Sequence, residues 1–350
     1  MPSLEQILEQ IAAGQPLTPS VQQWLAERLL ADTSTVQAFG LTPDTIAAEL
    51  DERSRLLQQI YPDFIQLCQH MGWHHYPLPT LWKIWLPLAC QLVRWQHPLQ
   101  RPMIQGILGG QGTGKTTLAQ ILSLILRHLG LRICSLSIDD LYKTYTERLQ
   151  LQQVDPRFCW RGPPGTHDVA LGLSVLHQLR QADRLDPVAL PRFDKSAWGG
   201  AGDRTQPELV QGADIVLFEG WFVGVRPVDP AVFATAPPPI QTEADRAFAR
   251  TVNANLQDYQ PLWHLLDRLI VLHPVDYRLS QQWRNQAEQQ MMASGRAGMS
   301  EAEVDRFVEY FWRSLHPELF IAPMLHDAAH VNLVIEIQPD HTPGAVYRPG

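Results

Sequence analysis

The sequence predicts an α/β protein: a mainly parallel sheet flanked by helices, with a helical domain ahead of it. Three observations carry that expectation. After His97-Pro98, short β-rich runs alternate with longer helical stretches, the sequence form of repeated β-α units. Most of those runs are nearly continuous apolar segments, as strands covered on both faces must be. Over residues 3–94, by contrast, apolar residues recur at spacings of three and four, the helical period.

In chain order, the helical domain is expected over residues 1–100. Leu4, Ile7, Leu8 and Ile11 mark one apolar stripe and Trp24, Leu25 and Leu29 another, and Thr18-Pro19 and Thr42-Pro43 interrupt the rhythm. Trp73, Trp82, Trp85 and Trp95 crowd its second half. His74-His75-Tyr76 invites a ligand reading, but aromatic packing with surface histidines accounts for it, and no chemistry is assigned there. The second domain is expected over residues 101–350, with strands at 103–108, 132–138, 214–218, 268–272 and 331–337. The triple proline at 237–239 reads as a loop.

Composition narrows the function classes. The 350 residues are 45% hydrophobic and 18% charged, an ordinary globular balance. A formal net charge of -8 gives none of the general positive field that holds a polyanionic backbone, so nucleic acid is excluded as a partner. Cys68, Cys90, Cys134 and Cys159 lie far apart with no C-x-x-C pair, which gives neither a zinc site nor a disulfide framework. Residues 1–14 carry acidic residues and no basic n-region, and no apolar run reaches the roughly 18 residues of a spanning helix. The expectation is a cytoplasmic chain with no membrane partner; nothing in the sequence identifies a protein partner.

Gly109-Gly110-Gln111-Gly112-Thr113-Gly114-Lys115-Thr116 fits G-x-x-x-x-G-K-[ST], set between an expected strand and an expected helix over 116–128. Glycines let the backbone N–H groups turn inward around phosphates, and the helix N-terminus adds a favourable dipole. Lys115 supplies a point charge to the β- and γ-phosphates, the Thr116 hydroxyl reaches Mg²⁺, and Thr117 follows in the first turn. The apolar run 214–218 ends at Glu219, expected to act on the metal through bound water. The nucleotide expected is ATP with Mg²⁺.

Transfer to a metabolite needs a base as well. Ser135-Leu136-Ser137-Ile138-Asp139-Asp140-Leu141-Tyr142 puts two carboxylates at the C-terminal end of a strand, where open α/β sheets place ligands. Asp139 is chosen as general base and as a contributor to the metal site. Taken alone, both aspartates read equally well as caps of the following turn.

With GGQGTGKTT and SIDDLY, three more stretches complete a resemblance: Asp155-Pro-Arg-Phe-Cys-Trp-Arg161-Gly-Pro-Pro-Gly-Thr-His167-Asp168, Pro191-Arg-Phe-Asp194-Lys195-Ser196 and Phe218-Glu219-Gly220-Trp221. From about Gly106 onward the chain resembles D-glycerate 3-kinases of the photorespiratory type, within the uridine kinase and phosphoribulokinase-like P-loop kinases. The resemblance implies a P-loop kinase core, ATP-dependent phosphorylation of D-glycerate to 3-phosphoglycerate, and Asp139 in the position of the catalytic carboxylate. Trp283-Arg284-Asn285-Gln286-Ala287-Glu288 resembles the family's lid, placed at about 278–298. Leu141 stands where several relatives carry Phe, an apolar change without chemical consequence.

A hydroxy-acid acceptor brings a carboxylate that a forked guanidinium pairs best. Arg161, Arg192 and Arg204 are expected in Gly/Pro-rich loops of the acceptor region, about 155–205, with His167, Asp168, Asp194 and Lys195 as further acceptor contacts. Arg284, and after it Arg278, are placed over the γ-phosphate. The segment 338–343 lies either near the adenine or in an ordinary C-terminal loop. Two other readings stay open: a related kinase acting on a nucleoside, pantothenate or a sugar phosphate, and a regulatory ATP-binding switch protein.

Overall fold

The structure is a computed structural model that describes residues 2–181, 186–293, 295 and 298–350. Residue 1, residues 182–185 of the expected acceptor region, and residues 294, 296 and 297 of the expected lid lie outside the described residues.

The chain opens with helices. Helix α1 (Leu4–Ala12) starts at a capping box, in which Ser3 and Gln6 satisfy each other's backbone N–H groups, and buries Ile7, Leu8 and Ile11. Helix α2 (Pro19–Leu30) begins with Thr18 as N-cap and Pro19 at its first position, so the Thr-Pro pair is a start signal. Short α3 (Thr33–Phe39) and long α4 (Ile46–His70) follow, then α5 (Leu78–Thr80), which runs through a π turn at Leu81–Trp85 into α6 (Leu86–Gln96). Trp82 and Trp85 are buried.

The second half is built on a six-stranded sheet in the order β2-β5-β1-β6-β7-β8, parallel except for β8. Its strands are β1 (Met103–Gly109), β2 (Ile133–Ser137), β5 (Ile215–Gly220), β6 (Arg268–Pro274), β7 (Leu333–Ile337) and β8 (Pro343–Tyr347). Five of these match the expected runs within two residues at either end; β8 was not expected.

Alternation along the strands explains the layers. Met103 and Ile107 of β1 and Ile215 and Leu217 of β5 face the same core as the N-terminal helices and α7 (Lys115–His128). Ile104, Leu108, Val216 and Phe218 face the opposite core, closed by α9 (Val169–Leu179), α10 (Glu243–Trp263) and α12 (Glu301–Ser314). The helices before β1 thus share one continuous core with the sheet. Arg348 ties the far end of the chain to them through its Nε–H, donated to the Ala38 carbonyl at 2.9 Å.

One element departs from the sequence reading. Strands β3 (Val188–Asp194) and β4 (Asp203–Val210) form a separate antiparallel hairpin beside the sheet. Arg192 and Arg204 therefore sit on strands, where loops were expected. Pro191, Pro207 and the run of charges in β4 gave no apolar period to betray a strand, since this ribbon buries little of β4.

Candidate active site

Phosphate cradle. Gly109 ends β1 where there is no room for a side chain: a Cβ there would lie 2.5 Å from Thr113 Oγ1 and 3.1 Å from Leu272. The chain then turns with positive φ at Gly112 and Gly114, the latter capping α7. Within the turn Thr113 Oγ1 donates to the Gly110 carbonyl at 2.8 Å and Lys115 Nζ donates to the same carbonyl at 3.1 Å. Burial pushes the Lys115 ammonium below its usual range, with Glu219 and Asp139 pulling it back.

Glu219 continues the face of β5 that carries Ile215 and Leu217, the face covered by α7. That parity brings its carboxylate to the first turn of α7, where Thr116 Oγ1 donates to Glu219 Oε1 at 3.3 Å. A hydroxyl and a carboxylate meeting at the mouth of a phosphate loop fit Mg²⁺, which takes few protein ligands and keeps the rest of its shell for water and phosphate.

The two aspartates after β2 divide the readings that the sequence left open. Asp140 caps: its Oδ2 accepts from Ser137 N at 3.0 Å while Ser137 Oγ accepts from Asp139 N. Its carboxyl is raised by burial in spite of Arg192. Asp139 instead faces a cleft of about 990 Å³ that is also lined by Lys115, Thr116 and Glu219. Its Oδ1 accepts from the Tyr142 hydroxyl at 2.9 Å and its Oδ2 from Lys195 Nζ at 2.6 Å. Burial pushes this carboxyl up, but Lys195 and the Tyr142 hydroxyl outweigh it and hold it below the usual carboxylate range.

Arg161, Lys195 and Arg284 line the same cleft. Arg284 pairs with the buried Glu288 at 2.5 Å and lies over the Phe307 ring, on helix α11 (Leu279–Ala293). Arg278, just ahead of α11, pairs with Asp276 at the surface. The other residues expected on the acceptor side have internal partners. Asp168 caps α9 and pairs with Arg204 at 2.9 Å. Arg192 bridges Asp140 at 2.9 Å and Glu208 at 2.7 Å. Asp194 accepts from Ser196 N and Oγ. His167 is buried behind the cleft, stacked on Tyr142 and hydrogen-bonded through Nδ1 to the Tyr259 hydroxyl at 2.8 Å; burial depresses its pKa to about 3, so it is neutral near pH 7.

The segment after β7 lies against the phosphate turn. His341 Nδ1 is 3.0 Å from the Gly112 carbonyl, to which it donates in the fitting tautomer. Its ring stacks on Trp283 with centroids 4.6 Å apart, and Trp283 Nε1 donates to the Pro339 carbonyl.

Sequence reasoning passed over Tyr142 as a partner of Asp139, and Arg148 altogether. Arg148 lies on α8 (Tyr145–Val154), one turn past a Thr144–Glu147 capping box that is legible as T-x-x-E. The Ala201 and Gly202 carbonyls it reaches come from the unforeseen hairpin.

The sequence matches no described protein-family profile. It is 32% identical over 243 residues to the uncharacterized kinase mug58 of Schizosaccharomyces pombe, covering 67% of this chain and 86% of that one. It is 28% identical over 330 residues to a chloroplastic D-glycerate 3-kinase of Arabidopsis thaliana, covering 88% and 70% of the two chains. The solved structure of a D-glycerate 3-kinase from Cryptococcus neoformans superposes with a TM-score of 0.65 at 27% identity, over 75% of this chain and 99% of that one. A phosphate loop at the end of the first strand of a largely parallel sheet and relatives along most of the chain agree: this protein belongs to the same P-loop kinase family as mug58, is similar to D-glycerate 3-kinases, and is an ATP-using phosphotransferase.

Proposed function

We propose that this kinase transfers the γ-phosphoryl group of ATP to the 3-hydroxyl of D-glycerate, with Asp139 as general base. The observation that carries the reading is one cleft shared by Lys115 and Thr116 of the phosphate loop, Glu219 of the neighbouring strand and Asp139. The D-configuration and the 3-position rest on the names of the relatives.

Lys115 and the backbone of the turn hold the phosphates, while Thr116 and Glu219 would hold Mg²⁺, which neutralises charge on the transferred group. Asp139, kept ionised by Lys195 and aimed by the Tyr142 hydroxyl, orients the acceptor hydroxyl and takes its proton. Little covalent chemistry is asked of the protein; positioning and charge do the rest. Arg284 joins the γ-phosphate from α11 by leaving Glu288, a carboxylate within the same cleft.

The test is a coupled ATP turnover assay across D-glycerate, L-glycerate, uridine, pantothenate and ribulose 5-phosphate, with the phosphorylated position read by NMR. Selective 3-phosphorylation of D-glycerate is expected. Turnover of a different acceptor overturns the substrate, and hydrolysis indifferent to every acceptor overturns the kinase reading in favour of a nucleotide switch.

A further inference from the structure

The basic residues lining the cleft are Lys115, Arg148, Arg161, Lys195 and Arg284. Lys115 belongs to the phosphate loop, Lys195 is paired with Asp139, and Arg284 is paired with Glu288. Among the described residues, Arg148 and Arg161 form no ion pair. They are nonetheless near neighbours: both guanidiniums lie over the Phe193 ring, at 5.1 and 5.6 Å from its centroid. Burial, and then the Arg161 charge, push the Arg148 guanidinium down. Asp203 acts on Arg148 from beyond ion-pair distance, its carboxylate already accepting from Tyr145 N and Trp198 Nε1 at 2.9 Å each. Two like charges held together over one aromatic ring in a cleft, without a carboxylate between them, make a site that an anion completes.

Donor geometry separates the two. A guanidinium has five N–H donors. Arg148 spends three on the carbonyls of Lys143, Ala201 and Gly202, which fasten α8 to the 199–202 turn. Arg161 spends one, on the Gly200 carbonyl at 2.6 Å. Its face is taken by the aromatic rings of Phe193 and Tyr142, the latter at 5.9 Å, so its remaining donors lie at the edge, where a carboxylate binds in plane. The Tyr142 ring that supports Arg161 also carries the hydroxyl bonded to Asp139, so one side chain joins the place where an anion is received to the place where a hydroxyl loses its proton.

We infer that Arg161 is the specificity-determining residue that receives the carboxylate of the acceptor, with Arg148 as the second charge that holds it in place. The acceptor class is a small hydroxy acid with its anion at Arg161 and its reacting hydroxyl at Asp139. The inference rests on the glycerate reading and assigns the role for which the sequence offered Arg161, Arg192 and Arg204 alike. Arg192 is neutralised by Asp140 and Glu208 and Arg204 by Asp168, so both frame the site.

The experiment compares D-glycerate with its neutral amide, glyceramide, by kcat/KM in the wild type, Arg161→Gln and Arg161→Lys. Removing a charged fork weakens binding roughly 10- to 100-fold. The wild-type preference for the acid over the amide should fall by that factor in Arg161→Gln and recover in part in Arg161→Lys, with the KM for ATP unchanged. A merely structural role would lower both acceptors together and leave the ratio intact, and that result overturns the inference. Should the wild type ignore glycerate but use another anionic acceptor, the substrate reading fails while the same ratio, taken with that acceptor and its neutral counterpart, still decides the role of Arg161. A wild-type preference for a neutral acceptor overturns both.

Discussion

The two halves of the cleft are built on opposite plans. On the donor side, one contiguous stretch, 109–117, makes the cradle, and its lysine bonds to a carbonyl of its own turn. On the proposed acceptor side, side chains from the turn after β2, α8, the turn around Arg161 and the β3–β4 hairpin converge. There charges are settled in pairs: Lys195 with Asp139, Arg192 with Asp140 and Glu208, Arg204 with Asp168. The donor half is fixed by the backbone geometry of one turn. The proposed acceptor half is held by charge pairing, so on that reading its selectivity rests on the cations that stay unpaired.

Three substitutions probe that contrast. Asp139→Asn, at the seam of the two halves, should lower transfer by about 10²- to 10⁴-fold, the usual contribution of a positioned base, while nucleotide affinity measured by calorimetry stays near wild type. Full transfer by this variant would remove Asp139 from the mechanism.

Lys195→Ala should act less on rate than on pH. With Lys195 present, the Asp139 carboxyl titrates below the usual range, so kcat/KM holds through neutral pH and falls only as pH drops through that lowered value. Without it, burial dominates, the carboxyl titrates higher, and the acid limb moves to higher pH. A limb that stays put would show that the pair does not govern the free enzyme.

The smallest effect is expected from Arg204→Lys, in which one point charge replaces a guanidinium that bonds both Asp168 and the Tyr142 carbonyl. A stability loss of about 1 kcal/mol in urea denaturation, with the KM for ATP unchanged, is the expected outcome. An equal loss of ATP affinity would mean that the halves are mechanically coupled through the hairpin.

The same contrast governs what could be read from the sequence. The phosphate turn was legible because its chemistry is local: glycines with positive φ, a lysine and a threonine must follow one another. The strands buried on both faces declared themselves by composition. Glu219 is singled out in the sequence by its place at a strand end, and the structure adds the face it shares with α7. The sequence favours Asp139 over Asp140 as base but leaves both open as caps; the capping bond from Ser137 N to Asp140 tells them apart. The hairpin stayed hidden because β4 is charged and largely exposed and β3 buries only Val188, Leu190 and Pro191, too short an apolar signal to mark a strand. With it were hidden the position of Arg148 and the engagement of two of the three arginines offered for the carboxylate. The last strand was missed for a similar reason: β8 is short, begins at a proline and pairs along only one edge.

Trp283 joins helix α11 to the phosphate turn and to the segment after β7. A Cβ on Gly112 would lie 2.8 Å from this indole, so the phosphate turn passes directly beneath it, and it also meets the His341 ring and the Pro339 carbonyl. It rides on α11, the helix that also carries Arg284. Any displacement of that helix separates two stacked rings and exposes an indole that is now 3% exposed. The indole is thus a built-in optical gauge: a change in intrinsic fluorescence on adding nucleotide, lost in Trp283→Phe, would show whether α11 shifts when nucleotide binds, without a label.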